Sequence, residues 1–386
     1  MRILIYTGKG GVGKTSMAAA AACALAKKGR RVIVMSTDQA HSLGDSFGVK
    51  LDDEPTQIID NLQAVEINTM KESKRAWGSL QDYIKQVINK DAQGSLESDE
   101  VVLFPSLEEL FAMLRIRDEY LKKSCDVLIL DCAPTGETLS LLRFPERLGA
   151  ITQRFLPLIR FFNMTAGFAV RRATKVPRPI DRVFVDFDHL IDDLRDLQKI
   201  MSDPAVTSIR IVTTPEKIVL DEARRNYTWM HMYGFNVDSV IINRIYPDEA
   251  MSGYFSGWID LQAESIRLAQ ESFAGSHIFR MPLKDHELRG VEALAEAARE
   301  VYGDEDLEEV YTKDELFHIE GGEEGTVFVI SLPFSSKEEI EVGQHGDDIL
   351  VSMRNERRRF HIPETVRHRT LVDSEYNDGL LKVYLS

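Results

Sequence analysis

A short glycine-rich stretch near the start of the chain limits the fold more than any other feature of the sequence. Residues 8–15 read G-K-G-G-V-G-K-T, which fits the phosphate-loop pattern G-x-x-x-x-G-K-[ST] at every position. An apolar, β-branched stretch at 2–7 precedes the loop, and an alanine-rich stretch at 16–28 follows it. A buried parallel strand, a glycine loop and a helix are the context in which this pattern binds phosphate. The sequence therefore predicts an α/β fold with a mainly parallel sheet flanked by helices.

The loop also predicts which atoms meet a nucleotide. Glycines let successive backbone N–H groups curl around a β-phosphate, and the helix N-terminus adds partial positive charge. Lys14 is predicted to reach the β- and γ-oxygens, and the Thr15 hydroxyl to ligate Mg²⁺. The predicted phosphate-binding residues are Gly8, Lys9, Gly10, Gly11, Val12, Gly13, Lys14 and Thr15. The fold class is thus that of a P-loop NTPase.

A second lysine, Lys9, lies inside the loop directly after its first glycine. Its stem is expected to point away from the loop's own cradle, towards a phosphate bound by a facing subunit. There it would supply the transition-state charge that an arginine finger supplies elsewhere. This loop resembles the deviant phosphate loop of the dimeric nucleotide-switch ATPases. We therefore expect a homodimer in which Lys9 acts in trans beside Lys14; a solvated surface lysine is the alternative.

Two carboxylates follow predicted strands near the loop. Asp38 comes just after the strand 31–36, at the edge where open α/β sheets bind ligands, and is the candidate for orienting or deprotonating the attacking water. His41 is the alternative base, although a histidine there more often satisfies a backbone bond. Asp131 ends the apolar strand 126–131, which is the Walker B arrangement, and is expected to hold Mg²⁺ with Thr15.

Three loops taken together resemble the ArsA family, which includes the arsenite-pump ATPase and the targeting ATPase for tail-anchored membrane proteins. They are the phosphate loop, S-T-D-Q-A-H-S-L at 36–43 and D-C-A-P-T-G-E-T-L at 131–139. The family patterns read S-T-D-P-A-H-S-L and D-T-A-P-T-G-H-T-L, so Gln39, Cys132 and Glu137 are departures. The last of the three loops contains Gly136 and is expected to move when the γ-phosphate leaves.

The resemblance implies further roles for single residues. It implies ATP as the nucleotide, Asp38 as the residue that positions the hydrolytic water, and Ser16 as part of the loop that wraps the phosphates. Asn243 follows the predicted strand 237–242, and its amide has the donor and acceptor to pair with adenine. The family places an asparagine there and a glutamate, matched by Glu216, against the nucleotide. Pro282 lies in a segment that resembles the family's late adenine loop.

Two stretches are predicted as a helical insertion, at about 101–123 and 140–205. Both are rich in Leu, Phe and Met at helical spacing. The family uses these regions to build a hydrophobic groove across a dimer that shields a client's membrane helix. Ordinary core and dimer packing is the alternative, and for any single residue it is the more common outcome.

The C-terminal part of the chain has a different pattern. Period-2 alternation after the acidic run 303–309 predicts short antiparallel strands, a small all-β sandwich. Their order resembles the α-crystallin domain of small heat-shock proteins. The predicted domains are an ATPase domain at 1–305, a linker at 306–320 and the β-sandwich at 321–386. Docking onto the ATPase, client holding and partner binding all stay open for this sandwich.

Composition excludes several classes of function. The formal net charge of −15 argues against a general nucleic-acid binder, since like charges repel. Cys23, Cys125 and Cys132 contain no C-x-x-C pair, so neither a disulfide framework nor a cysteine zinc site is indicated, and a reducing, cytoplasmic location is expected. No uncharged apolar run of eighteen residues occurs, and the first strand starts at once, so neither a membrane span nor a targeting peptide is expected.

The sequence therefore predicts a homodimeric, Mg²⁺-dependent ATPase whose nucleotide state controls a hydrophobic client-binding surface. The expected client is a hydrophobic protein, for which a tail-anchored membrane protein is one option. A membrane receptor is a further expected partner. An anion-transport motor of the arsenite type is one alternative. An ATP-stabilised holdase without catalysis is another.

Overall fold

The computed structural model describes residues 1–37, 42–76, 78, 105–132, 181–322, 325–354 and 356–386. The chain forms two compact units. One consists of Met1–Glu66, Cys125–Leu139 and Met201–Ser386, and the other of Ile67–Ser124 and Ser140–Ile200. Of the sequence predictions, Asp38, His41, the loop with Gly136 and the whole apolar stretch at 140–180 lie outside the described residues.

An eight-stranded sheet forms the centre of the first unit, in the order β3-β4-β2-β5-β1-β6-β7-β8. Its strands are β1 (Arg2–Thr7), β2 (Val32–Ser36), β3 (Thr56–Ile59), β4 (Leu62–Glu66), β5 (Val127–Asp131), β6 (Thr207–Thr213), β7 (Val237–Ile245) and β8 (His277–Pro282). β3 pairs antiparallel with β4, and the other described pairs are parallel. The prediction of a mainly parallel sheet is confirmed. The carboxyl ends of β5, β1, β6 and β7 therefore meet at one edge.

Helices of the described residues are α1 (Lys14–Lys27), α2 (Ser42–Phe47), α3 (Pro105–Lys122), α4 (Asp181–Ser202), α5 (Lys217–Tyr233), α6 (Trp258–Ser272) and α7 (Val291–Tyr302). In α1 the run 18–22 is entirely alanine and fully buried, because small side chains let the helix approach its neighbours closely. The sequence predicts the last helix before the acidic run over 287–302, but α7 starts at Val291, since Gly290 has φ 84° and interrupts a right-handed helix. Within the described ranges, no helix is both long and apolar enough to cross a bilayer.

The second unit contains α3 and α4, which fall in the two stretches predicted as the helical insertion. A charged pair ties its two described helices together, since Arg117 of α3 pairs with Asp193 of α4 at 2.6 Å. Within α3, Arg115 pairs with Glu119 at 3.1 Å. The domain boundaries remain predictions.

The C-terminal residues form two antiparallel sheets, in the orders β14-β15-β10-β9 and β11-β12-β13. The strands are β9 (Phe317–Gly322), β10 (Gly325–Ser331), β11 (Ile340–His345), β12 (Asp348–Met353), β13 (Glu356–His361), β14 (Leu371–Asn377) and β15 (Leu380–Leu385). The predicted all-β character is confirmed, whereas β9 and β14 were not predicted. None of the described side chains in these two strands is buried, so the apolar alternation that marks a strand is weak in both. We call this part, residues 317–386, the β-domain.

The segment before the β-domain is held against the central sheet. Arg210 of β6 is fully buried and donates to the backbone oxygen of Leu307 at 2.8 Å, while its Nε lies 3.4 Å from Asp238 Oδ1. Arg2 donates to the backbone oxygen of Glu308 at 2.9 Å. One fully buried and one partly buried arginine thus anchor part of the predicted linker to strands of the central sheet.

Candidate nucleotide-binding site

The phosphate loop joins the central strand β1 to α1, and two of its glycines cannot be replaced without a clash. Gly8 and Gly13 have φ of 151° and 94°. A Cβ at Gly8 would meet the backbone oxygen of Val212, and one at Gly13 would meet the Asn243 side chain. The loop therefore follows a path that only glycine allows, with its backbone packed against the ends of β6 and β7.

Asn243, at the end of β7, braces this loop. Its Nδ2 donates to the backbone oxygen of Val12 at 2.7 Å, and its Oδ1 accepts from the backbone N–H of Arg244 at 2.9 Å. One donor hydrogen and one acceptor lone pair remain on the amide. The structure therefore gives Asn243 a role in holding the loop that the sequence did not indicate, beside the adenine contact that stays a prediction.

The two lysines of the loop lie in different surroundings. Lys14 is 7% exposed and its Nζ lies 3.3 Å from the backbone oxygen of Lys9, which keeps the ammonium group inside the loop. The Lys9 side chain is 38% exposed and its Nζ forms an ion pair with Glu222 Oε2 of α5 at 3.2 Å. Lys14 thus faces the cradle, and Lys9 lies on the loop's outer side against α5.

Oxygen atoms meet where β5 ends beside the loop. The Thr15 hydroxyl donates to Asp131 Oδ2 at 2.8 Å, the Ser36 hydroxyl donates to the same oxygen at 3.3 Å, and Ser42 Oγ lies 3.1 Å from Thr15 Oγ1. One carboxylate and several hydroxyls are the donor set that Mg²⁺ accepts, alongside water and substrate phosphate. These residues therefore fit the predicted metal. Next to them, burial raises the pKa of the Cys132 thiol to about 12, which keeps that sulfur protonated.

A cavity of about 680 Å³ opens beside the loop. Gly13 and Ser16 line it at the phosphate end, and three further predicted residues, Glu216, Asn243 and Pro282, also line it. These five come from separate parts of the chain, and the parallel sheet brings them together because its strands all end at this edge. The volume is that of a small-molecule site.

The same cavity is lined by aromatic residues that the sequence analysis missed. Tyr246 follows β7 and Trp258 begins α6, and their rings lie 6.3 Å apart between centroids. Gln262 of α6 fixes this wall, since its amide accepts from the Tyr246 backbone N–H at 2.8 Å and donates to the Tyr246 backbone oxygen at 3.0 Å. Flat aromatic faces stack on nucleobases. No motif marks these residues; only the packing of α6 beside the cavity identifies them.

Asp38 itself lies outside the described residues. The residue before it, Thr37, is 5% exposed and its backbone N–H donates to the Asp131 backbone oxygen at 3.2 Å. The chain therefore leaves β2 alongside Asp131, the carboxylate predicted to hold the metal. The assignment of Asp38 to the hydrolytic water stays a prediction.

Family models match nearly the whole chain. The model described as anion-transporting ATPase matches residues 1–303, and the model described as the HSP20-like domain found in ArsA matches residues 323–385. The resemblance to the ArsA family and the α-crystallin-like C-terminal domain are confirmed.

Similar proteins include bacterial and protozoan ATPases. One is a Chlorobaculum tepidum protein whose name describes an arsenical pump-driving ATPase. It is 33% identical over 99% of this chain and 95% of its own length. An Aquifex aeolicus protein with the same kind of name is 32% identical over 95% of this chain and 96% of its own. ATPase ASNA1 homolog 1 of Paramecium tetraurelia is 28% identical over 76% of this chain and 90% of its own.

Proposed function

Because the chain belongs to the anion-transporting ATPase family and is an ATP hydrolase with an HSP20-like C-terminal domain, we propose that it works as a magnesium-dependent homodimer. In this proposal the nucleotide state controls a surface for a hydrophobic protein client. The single observation that carries the dimer is the second lysine of the phosphate loop. Lys9 lies outside its own cradle, 38% exposed, while Lys14 fills the cradle.

The two lysines divide the work in this mechanism. Lys14 neutralises the β- and γ-oxygens of the nucleotide bound to its own chain, and Lys9 reaches the nucleotide of the facing copy. Asp38 orients the attacking water, and Thr15 with Asp131 holds the metal ion. Magnesium, when bound, supplies positive charge to the phosphate oxygens. Glu216, Asn243 and Pro282 hold the adenosine end within the cavity.

Steady-state ATPase assays on two lysine variants test this division. Lys14→Ala is expected to lose ATP binding, whereas Lys9→Ala is expected to lose turnover by about 10³-fold with ATP affinity nearly unchanged, as loss of a finger residue does. Lys50→Ala, an exposed lysine away from the loop, is the control. Light scattering with a non-hydrolysable ATP analogue and Mg²⁺ should show a dimer for wild type. Full turnover by Lys9→Ala would contradict the proposal, and so would a wild-type monomer in the presence of the ATP analogue and Mg²⁺.

The role of Asp38 has its own test. Asp38→Asn should bind ATP and Mg²⁺ as wild type does and turn over about 10²- to 10⁴-fold more slowly, because the water loses its carboxylate partner. Asp131→Asn should instead raise the Mg²⁺ concentration needed for half-maximal activity. Equal turnover by Asp38→Asn and wild type would assign the water to another group.

The client half of the proposal rests on the resemblance to ASNA1-type ATPases and on the apolar insertion predicted at 101–123 and 140–205. In this proposal the client is a hydrophobic segment of another protein, and a tail-anchored membrane protein is the case to test. A membrane receptor accepts the client, and the ATPase works in the cytoplasm. A tail-anchored substrate co-expressed with the chain should co-purify with it in the ATP-bound state. A control substrate with a polar tail should not. If the tail-anchored substrate does not co-purify although the ATPase activity is retained, the client half of the proposal is wrong.

An anion-transport motor is the second candidate, and one observation favours it. The relatives named for arsenical pumps match 95–99% of this chain, β-domain included, whereas the ASNA1 homolog matches 76%. The cysteines argue against arsenite chelation, since all three are buried and burial raises the pKa of Cys23 and Cys132 to about 12. Stimulation of the ATPase activity by arsenite or antimonite would favour the anion-transport motor. An ATPase activity that these anions leave unchanged would favour the client-binding switch.

A further inference from the structure

Helix α5 contacts a different part of the protein at each of its two ends. Its N-cap residue Glu216 lines the nucleotide cavity, and Glu222, on the second turn, pairs with Lys9 of the phosphate loop. Its last two turns, from Tyr227 to Tyr233, form the seat of the β-domain. The helix is continuous over 17 residues, so the two contacts sit on one rigid body.

The seat is closed by apolar and aromatic contacts. Phe334, just after β10, has its ring 5.6 Å from that of Tyr227 and 5.5 Å from that of Phe273, both in edge-on geometry. The guanidinium of Arg224 lies 5.0 Å from the same ring. Phe334 has φ 62°, a conformation that a phenylalanine adopts at a cost and that the surrounding packing must hold. The β-domain is therefore packed on α5 rather than tethered beside it.

Buried hydrogen bonds close the end of the helix. Tyr233 donates to Glu356 Oε2 at 2.9 Å, and both side chains are 7% exposed. Arg358 of β13 donates to the backbone oxygen of Met232, and Thr228 donates to the backbone oxygen of Pro333. A backbone oxygen in the last turn of a helix has no partner within the helix, so Arg358 acts as its cap.

We propose that Glu222 is a positioning residue for ATP hydrolysis that acts through Lys9, and that the β-domain sets the strength of this contact by holding α5. The inference rests on the proposed role of Lys9 in trans. While Lys9 is paired with the carboxylate of its own chain, its ammonium group must leave that contact to neutralise a phosphate of the facing copy. Glu222 therefore lowers the fraction of Lys9 available for turnover, and a firmly seated α5 keeps Glu222 in place.

Turnover of Glu222 variants tests the first half. Glu222→Gln removes the charge that holds Lys9, and kcat is expected to rise roughly two- to fivefold, the size expected for a half-exposed ion pair, with the KM for ATP unchanged. Glu222→Asp keeps the charge and should return kcat towards the wild-type value. A merely structural role would lower stability without raising kcat, so the thermal midpoint is measured alongside.

The double variant with Lys9→Ala separates the two proposals. If Lys9→Ala alone abolishes turnover and Glu222→Gln alone leaves kcat unchanged, the trans lysine stands and this inference fails. If Lys9→Ala keeps full turnover, the trans lysine itself fails. A rise caused by Glu222→Gln that persists on the Lys9→Ala background would show that Glu222 acts by another route, and that result would also overturn the inference.

Two neighbouring arginines of β13 test the second half. Arg358→Ala removes the cap on α5, and kcat is expected to rise in the same direction as in Glu222→Gln but by less, without adding to it in the double variant. Arg359→Ala is the matched control, because this side chain is 65% exposed and lies 3.9 Å from Asp348 within the β-domain. If Arg358→Ala changes only the thermal midpoint, the β-domain is a brace without influence on turnover, and the coupling is refuted.

Discussion

The carboxyl edge of the central sheet and the seat of the β-domain on α5 are built from similar groups and used in opposite ways. At the sheet edge, Ser16, Glu216 and Asn243 line a cavity of about 680 Å³, and the Thr15 hydroxyl donates to Asp131 beside the same loop. At the seat, Tyr233, Glu356 and Arg358 meet one another or a helix end inside the chain. Polar groups beside a cavity bind ligand, whereas the same groups closed on each other hold structure.

The largest expected effect comes from a substitution that disrupts the phosphate loop at the sheet edge and leaves the seat of the β-domain intact. Gly13→Ala places a Cβ against Asn243 Nδ2 at a φ of 94°, so the loop must move, and ATP affinity should fall more than about 100-fold by calorimetric titration. Gly11→Ala is the control, because its Cβ meets nothing within 4 Å and only the φ of 82° opposes it. That variant should lose at most about tenfold. Equal losses of ATP affinity in the two variants would mean that backbone strain at positive φ, and not the clash with Asn243, causes the loss.

The reverse experiment breaks the seat and spares the edge. Phe334→Ala deletes the ring between Tyr227, Phe273 and Arg224, and the free energy of unfolding in urea should fall by about 2 kcal/mol. ATP affinity should stay within about twofold, because no contact of this ring lies in the cavity. Val372→Ala, 63% exposed on β14, should change neither quantity. A large loss of ATP affinity in Phe334→Ala would make the seat part of the binding site.

A smaller change sharpens what the edge recognises. Trp258→Ala removes one face of the aromatic wall, and ATP affinity should fall about three- to tenfold, the value of an aromatic stacking contact. Inorganic tripolyphosphate has no base, so its affinity should not change. Ile259→Ala, the exposed neighbour on α6, is the control. Equal weakening of both ligands would place Trp258 near the phosphates instead.

The smallest expected effect concerns pH at the seat. Burial by itself would raise the pKa of Asp314, but the His231 imidazole 3.3 Å away and the hydrogen bond from Tyr227 outweigh it and hold that pKa below its usual value. A carboxyl with a lowered folded pKa stabilises the fold above its unfolded pKa, about 3.9, and loses that contribution as the pH falls through the folded value. Asp314→Asn should therefore remove less than about 1 kcal/mol at neutral pH. Once the pH falls below the folded pKa of Asp314, the free energies of unfolding of the variant and of wild type should converge; a difference that stays constant with pH would mean that Asp314 is not the group responsible.

The sequence was informative wherever a function needs particular residue types at fixed spacing. The phosphate loop, the Asp131 strand end and the family of the chain followed from residues 8–15, 36–43 and 131–139, and the β-domain from a change of hydrophobic period. Strands at sheet edges, such as β14, escaped because exposure removes the alternation that marks a strand. The helix expected from residue 287 begins later because Gly290 adopts a left-handed φ.

By itself, then, the sequence determined the family and the residue types at the site: a glycine loop of the phosphate-binding pattern, a second lysine within that loop, and a carboxylate at the end of an apolar strand. Only the tertiary structure decided what those groups face. Asn243 holds the loop, Tyr246 and Trp258 wall the cavity, and Glu222 pairs with Lys9 because β7, α6 and α5 pack at the same edge. The contacts of Asn243 with Val12 and of Glu222 with Lys9 join residues more than two hundred positions apart, so spacing along the chain carries no sign of them.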